Sequence, residues 1–221
     1  MRLTVLAATG GIGRQILEQA VAAGHDVTAV VRDPARLSRP VRSVTADLST
    51  ADPDALRAAV EGADAVLSGL GARSNAEAGV AWRGTLAVTG AMAQAGVRRI
   101  VVVSAAPIGT VPSPARPTPP RHDPGDGIFM RHLGAPLTRV FLRPHYADLA
   151  RMEDVLRESE LDWTIVRPPK LTDKALTADY RTALGRNVRG GFSVSRADVA
   201  HLMLRTLEQP GTVRQTIGTA N

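Results

Sequence analysis

The 221-residue chain contains no cysteine. That excludes a disulfide, a thiolate nucleophile and any thiolate-ligated metal site, and no oxidising compartment is required. Lysine is nearly absent: Lys170 and Lys174 are the only two, so almost all of the positive charge behind the formal net charge of +6 is arginine. The arginines are scattered, aromatics make up only 3% of the chain and no nucleic-acid recognition motif appears. An anionic small molecule therefore explains the basic balance more economically than nucleic acid does. Of the five histidines only His122 and His132 lie near one another, so no metal site is expected. No stretch approaches the ~20 apolar residues of a membrane span. The first apolar run is too short for a signal-peptide core and leads into glycines rather than a cleavage site. The expectation is a cytoplasmic protein that works on a small-molecule substrate, without nucleic acid or membrane as partner.

What is present is a regular alternation. Strand-like apolar runs lie at 3–8, 27–31, 41–46, 65–70, 100–103 and 163–166, with helical patterns at 12–23, 53–60, 80–95 and 146–159. The runs are rich in Val and Ile and nearly continuous, as strands covered on both faces should be. Strand–helix–strand repetition implies parallel order with right-handed crossovers. Gly24 and Gly96 each follow a helical run, where a left-handed residue is expected. The length suits one domain, 1–221, of α/β class: a doubly wound parallel sheet of Rossmann type.

The turn between the first run and the first helix is the most informative segment. Thr9-Gly10-Gly11-Ile12-Gly13 follows directly on Leu3-Thr4-Val5-Leu6-Ala7-Ala8. Glycines there let the chain turn tightly and approach a pyrophosphate, and the free N–H groups of the new helix point at it. The dinucleotide fingerprint asks for glycine at its first, third and sixth positions; here those are Ala8, Gly10 and Gly13, or Ala7 fills the first slot at a different spacing. An ordinary strand–helix turn using Gly for tight packing would read the same way. About twenty residues after the glycines, where an NAD binder carries a carboxylate and an NADP binder an arginine, stands Arg32, with Arg36 four residues further on. Two guanidiniums suit a 2′-phosphate. Asp33 is counter-evidence, either as a ribose ligand or as the cap of a short helix opened by Pro34.

The alternation breaks from 105 to 145, where prolines at 107, 112, 114, 117, 119, 120 and 124 and glycines at 109, 125, 127 and 134 leave no periodicity. A long segment of this kind after the fifth strand lies at the carboxyl edge of the sheet, where ligands bind. It reads as a proline-rich substrate lid, or else as an insertion without a role. Arg116, Arg121, Arg131, Arg139 and Arg143 in or near it would attract a carboxylate or phosphate, or form a solvated basic face.

With these residues in view the chain resembles the atypical short-chain dehydrogenases/reductases, in the NAD(P)H-binding, NmrA-like branch that includes biliverdin reductase B (flavin reductase). The likeness covers nearly the whole length and rests on Ala8-Thr9-Gly10-Gly11-Ile12-Gly13, Val31-Arg32-Asp33, Ala46-Asp47-Leu48, Leu70-Gly71 and Val101-Val102-Val103-Ser104-Ala105. It continues in Val155-Leu156-Arg157-Glu158-Ser159, Trp163-Thr164-Ile165-Val166-Arg167-Pro168 and Ser195-Arg196-Ala197-Asp198-Val199-Ala200. The resemblance implies that Asp47 accepts a bond from the adenine amino group, Leu48 packs on that ring, and Leu70 and Gly71 line the adenosine and pyrophosphate. It places Arg73 near the phosphates, Ser104 and Ala105 at the nicotinamide ribose, and Pro168 beside the nicotinamide. The region 168–194 would form part of the substrate site. Residues 163–167 also read simply as a core strand.

The family's catalytic Tyr-x-x-x-Lys pair is missing. Tyr146 is followed at that spacing by Ala150, and alignment on Glu153 and Leu156 puts His145 and Leu149 in the two slots instead. Tyr146 and Ser104 remain the candidate catalytic groups, with His145 and His132 as further candidate proton donors. The expected function is an NADP(H)-dependent reductase transferring hydride to a planar, carbonyl, quinone or flavin-like molecule, with Phe129, Phe141 and Tyr146 as aromatic contacts. An alternative is a non-catalytic NADP(H)-sensing regulator of NmrA type, and a weaker one is a nicotinamide-dependent epimerase or isomerase.

Overall fold

Five of the six apolar runs become strands buried between helices, and the other forms the exposed edge strand. The computed structural model describes residues 1–50, 52–72, 74, 77–126 and 143–221. Strands β1 (Arg2–Leu6), β2 (Asp26–Val31), β3 (Arg42–Thr45), β4 (Ala65–Ser68), β5 (Arg99–Val103) and β6 (Asp162–Arg167) pair in parallel in the order β3-β2-β1-β4-β5-β6. This is the doubly wound Rossmann arrangement, its order reversing between β1 and β4. Successive side chains point to opposite faces. Leu6, Val30, Val66, Ile100, Val102 and Ile165 pack into one core, while Leu3, Val5, Val27, Ala29, Val31, Val101, Val103 and Val166 pack into the other. Helices α2 (Pro53–Val60), α3 (Val80–Ala95) and α4 (Arg143–Glu158) cover the first face, and α1 (Gly11–Ala22) and α5 (Arg196–Arg205) cover the second. Gly24 and Gly96 take φ of +77° and +70° behind α1 and α3, as their place after the helical runs predicts.

The last third adds elements that no apolar run announces. β7 (Lys170–Thr172) and β9 (Ser193–Ser195) form a separate parallel pair. β10 (Gln215–Ala220) extends the main sheet beside β6, and β8 (Arg181–Leu184) closes its edge antiparallel to β10. The sheet is therefore mostly rather than wholly parallel.

The turn from β1 to α1 is tight. Ala7 adopts a left-handed φ of +56°, which costs a residue with a side chain roughly 1–2 kcal/mol. Its carbonyl accepts from the Gly10 N–H at 2.8 Å. A Cβ on Gly13 would stand 2.7 Å from the Ala7 carbonyl carbon, and one on Gly69 would stand 2.6 Å from the Gly13 nitrogen. The ends of β1 and β4 thus touch the first turn of α1 backbone to backbone.

The other face is fastened by buried charge. Glu153 of α4 is fully buried and accepts from Ser104 Oγ at 2.7 Å, Arg167 Nε at 2.8 Å, Arg157 Nη2 at 2.7 Å and Arg167 Nη2. Burial alone would raise its pKa, but the Arg167 and Arg157 guanidiniums and the Ser104 bond outweigh that and hold it below the ordinary glutamate value. Asp154 accepts from Ser113 Oγ and the Ala115 N–H, and Arg116 donates to the Ile108 carbonyl. Asp148 accepts from the Ala81 and Trp82 N–H groups, placing a carboxylate at the positive end of α3.

These contacts alter the picture of 105–145. Residues Ala106–Thr110 form a short 3-10 helix with Ile108 fully buried, and Ser113–Arg116 are tied to α4. The described part of the segment is packed, and residues 143–145 already belong to α4, which starts earlier than the helical pattern at 146–159. The backbone contact at Gly69 predicts that Gly69→Ala destabilises the fold by about 1–3 kcal/mol, read as a melting temperature lower by roughly 2–12 °C. Gly71→Ala, whose Cβ would meet only His145 Cε1 at 3.9 Å, should melt like the wild type. Glu153→Gln leaves the Arg167 guanidinium buried without its anion and should cost about 3 kcal/mol or more. Because the folded pKa lies below the unfolded one, Glu153's contribution is complete above about pH 5 and is lost as the pH falls through the folded value. Thermal melts across pH should show a constant gap between wild type and Glu153→Gln at neutral pH that narrows only in acid.

Candidate functional site

Where β1 and β4 part, the sheet leaves a crevice at its carboxyl edge, the place where doubly wound sheets bind ligands. It holds two cavities, of about 220 and 290 Å³, which share Ala7, Leu70 and Gly71 as walls. The first is a slot between apolar walls from Val30, Val31, Leu48, Leu70 and Val80, with Asp47, Arg32, Glu77 and Arg83 as its charged groups. Asp47 Oδ1 accepts from both the N–H and the hydroxyl of Ser49, and these bonds are the main cause of its lowered pKa. Arg32 pairs with Glu77 at 3.2 Å. Asp33 is not a wall of the slot; its carboxylate accepts from the Ala35 N–H and caps the 3-10 helix Pro34–Arg36.

The second cavity is lined by Gly10, Gly11, Ile12, Gly69, Val103, Ser104, His145, Leu149, Leu171 and Arg196, among others. Between the two cavities stands the N-terminus of α1. Its cap residue Gly10 offers no side-chain bond and its first turn carries no acidic residue. The uncapped N–H groups and the helix dipole make this point an anion site. Two cavities joined across such a site fit a dinucleotide, one with apolar walls and charged groups for one ring and the other beside Ser104 and His145 for the second.

The residues singled out from sequence divide clearly. Thr9, Arg32, Asp47, Leu48, Leu70 and Gly71 line the first cavity, and Gly10, Gly11, Ile12, Leu70, Gly71 and Ser104 line the second. Gly13 lies behind the turn, where its role is the close backbone contact. Arg36 is exposed and lines neither cavity. Ala105 caps the 3-10 helix, and Pro168 is buried with its carbonyl bonded to the Ala106 N–H; neither lines the cavities. Arg73, Phe129, Arg131, His132, Arg139 and Phe141 lie outside the described residues. Arg121 and Arg143 are exposed.

The two candidate catalytic groups are placed differently from one another. Tyr146 packs in the core beside Leu149 and Met152 and lines neither cavity, while its neighbour His145 faces the second one. Burial lowers the His145 pKa, against a smaller opposing effect of Asp148, so the ring is neutral at pH 7. Ser104 does line the cavity, but its hydroxyl donates to the ionised Glu153. A hydroxyl has one proton, so toward the cavity Ser104 can only accept. Sequence reasoning missed Gly69, Arg83 and Arg196 as parts of the site. The Ser68-Gly69-Leu70-Gly71 spacing was a signal for the first; the two arginines carried none.

Residues 7–210 match the family described as NAD(P)H-binding. A UPF0659 protein of Schizosaccharomyces pombe is 30% identical over 216 residues, covering 91% of this chain and 83% of that protein. Among solved structures, a candidate NADH-flavin reductase from Streptococcus pneumoniae is 25% identical with a TM-score of 0.74, covering 100% of this chain and 99% of that one. A short-chain dehydrogenase/reductase from Veillonella parvula, solved in complex with NADP, is 20% identical with a TM-score of 0.77 and shares the fold over 100% of this chain and 94% of its own. The crevice, the bare helix terminus and these matches converge: the chain belongs to the NAD(P)H-binding family and has the Rossmann fold.

Proposed function

We propose that this protein is an NADPH-dependent reductase of a small planar or carbonyl-bearing molecule, of flavin or quinone type. The observation that carries the reading is the chamber beside Ser104 and His145, open at the far end of a dinucleotide-shaped crevice. The candidate NADH-flavin reductase among its structural neighbours supports the class of reaction. A bound reduced nicotinamide supplies a hydride to the substrate. The chain's own residues bind and orient. Leu48 would pack on the adenine and Leu70 would line the adenosine, while Asp47 would accept from the adenine amino group; the α1 N-terminus would receive the pyrophosphate; Ser104 would accept from the nicotinamide ribose or carboxamide. Leu149 and Ala150 stand where a lysine would be needed to activate a phenol, and both are buried. Acid–base help from the protein is therefore slight, and orientation provides most of the rate. Lid contacts from 105–145 and an anionic substrate drawn by the surface arginines remain part of this proposal, with cytoplasmic placement and no nucleic-acid or membrane partner.

The preference for NADP(H) rests on Arg32 and Arg83 at the slot and on the withdrawal of Asp33 into its cap. A 2′-phosphate would take the place of Glu77 on Arg32. The sensor reading draws on the same missing lysine, and turnover separates the two.

Titration of wild type and Arg32→Ala with both cofactors should show NADPH bound more tightly by the wild type. The variant should lose about tenfold or more for NADPH, from the loss of a charge-assisted bond worth ~1.5–3 kcal/mol, with NADH little changed. Equal wild-type affinities would contradict the preference. Incubation of 4-deuterated NADPH with a panel of flavins, quinones and carbonyl compounds should move deuterium into at least one product. Tyr146→Phe should lower that kcat by less than about tenfold, or ~1.4 kcal/mol; tight binding without any transfer would favour the sensor instead.

A further inference from the structure

Arg196 is held against the glycine turn by features that a surface ion pair does not explain. It is the first residue of α5. Ser195 caps that helix, accepting from the Asp198 N–H while its hydroxyl donates to Asp198, and Asp198 is anchored in turn by Thr177 and the Ala178 N–H. Gln19 of α1 donates to the Ala197 carbonyl at 2.9 Å, so the start of α5 is fixed relative to α1. From there the Arg196 side chain runs along Gly11, where a Cβ would stand 2.7 Å from its Nε and 2.8 Å from its Cδ. The guanidinium reaches Asp173, just beyond β7, through Nη1 at 2.6 Å. Nε and Nη2 have no partner among the described residues.

A guanidinium beside the positive end of α1, whose first turn has no acidic residue, brings like charges together. The one carboxylate present, Asp173, is 88% exposed and contributes little. The site is therefore short of an anion between Arg196 and Gly11. Arg196 lines the second cavity and not the first, so the anion belongs on the far side of the turn from the adenosine slot.

We propose that Arg196 clamps the second phosphate of the cofactor, the one on the nicotinamide side, between its guanidinium and the N-terminus of α1. Asp173 takes only Nη1 of the fork, so Nε and Nη2 are left for the phosphate. The inference rests on the cofactor reading above. It adds a coupling: Arg196 joins the phosphate to the β7–β9 pair, which carries Leu171 on the cavity wall, so cofactor binding fixes that wall of the substrate region.

The test compares ADP-ribose, which carries both phosphates, with AMP, which carries only the first, on wild type, Arg196→Ala and Arg196→Lys. This choice is independent of the NADP or NAD preference. Calorimetric affinity for ADP-ribose should fall about tenfold to a hundredfold in Arg196→Ala and less in Arg196→Lys, while AMP changes by less than about threefold. Hydrogen exchange should show residues 170–195 protected by ADP-ribose in the wild type and not in Arg196→Ala. An unchanged ADP-ribose affinity in Arg196→Ala, or an equal loss for both ligands, overturns the clamp while leaving the cofactor reading in place. Failure of the wild type to bind ADP-ribose or either nicotinamide dinucleotide overturns both.

Discussion

The close backbone contact among Ala7, Gly13 and Gly69 governs the architecture of the binding crevice. Three segments meet there without intervening side chains: the left-handed end of β1, the first turn of α1 and the end of β4. Because α1 comes so near, its N–H groups open onto the crevice and not onto the sheet. Because glycine follows β4 at the same point, Leu70 and Gly71 can form walls common to both cavities. The roughly 1–2 kcal/mol of strain at Ala7 is the local cost of that placement. A conventional capped helix start would occupy one or two of those N–H groups and put a side-chain oxygen where a phosphate would sit.

The two ends of the crevice are built from different physics. At the Asp47 end the charges are accessible and exchangeable: Arg32 and Glu77 share an ion pair that solvent reaches, and Arg83 lines the cavity beside them. At the other end the charge is locked away. Glu153, fully buried between Arg167 and Arg157, claims the Ser104 proton and ties α4 to the ends of β5 and β6. The result is a rigid chamber floor whose serine accepts and whose histidine is neutral. Such a floor orients a ring well and delivers protons poorly. That matches a substrate whose reduction asks little acid–base chemistry of the protein.

Much of this could be read from the sequence, for a reason that also sets the limit. Strands buried on both faces write continuous apolar runs, so β1, β2, β4, β5 and β6 and the helices between them were legible, as was the glycine turn; the exposed edge strand β3 followed from the alternation. β10 is buried over its last four residues but is written Gln-Thr-Ile-Gly-Thr-Ala, with polar residues and a glycine interrupting it, and it left no apolar run. β8 is largely exposed at the sheet edge, and β7 and β9 are three residues each. In the site, the residues that pattern reveals are those contributed by the turn and by strand ends. Arg83 and Arg196 reach it from helices that start far along the chain, and only the packing of α3 and α5 brings them there. The contrast between His145 and Tyr146 shows the limit at its finest: neighbours on one helix differ by about 100° in direction, and that angle sends one ring to the cavity and the other to the core. Ser104 lines the cavity, yet its hydrogen-bonding sense depends on Glu153, 49 residues away.

The most direct test of the account is a crystal structure of the protein with NADPH. The predicted result has the adenine packed on Leu48 with Asp47 at its amino group, the pyrophosphate over Gly10 and Gly11, and the nicotinamide ring in the chamber beside Ser104 and His145. An adenine lying elsewhere, or a pyrophosphate that does not engage the N-terminus of α1, would contradict it.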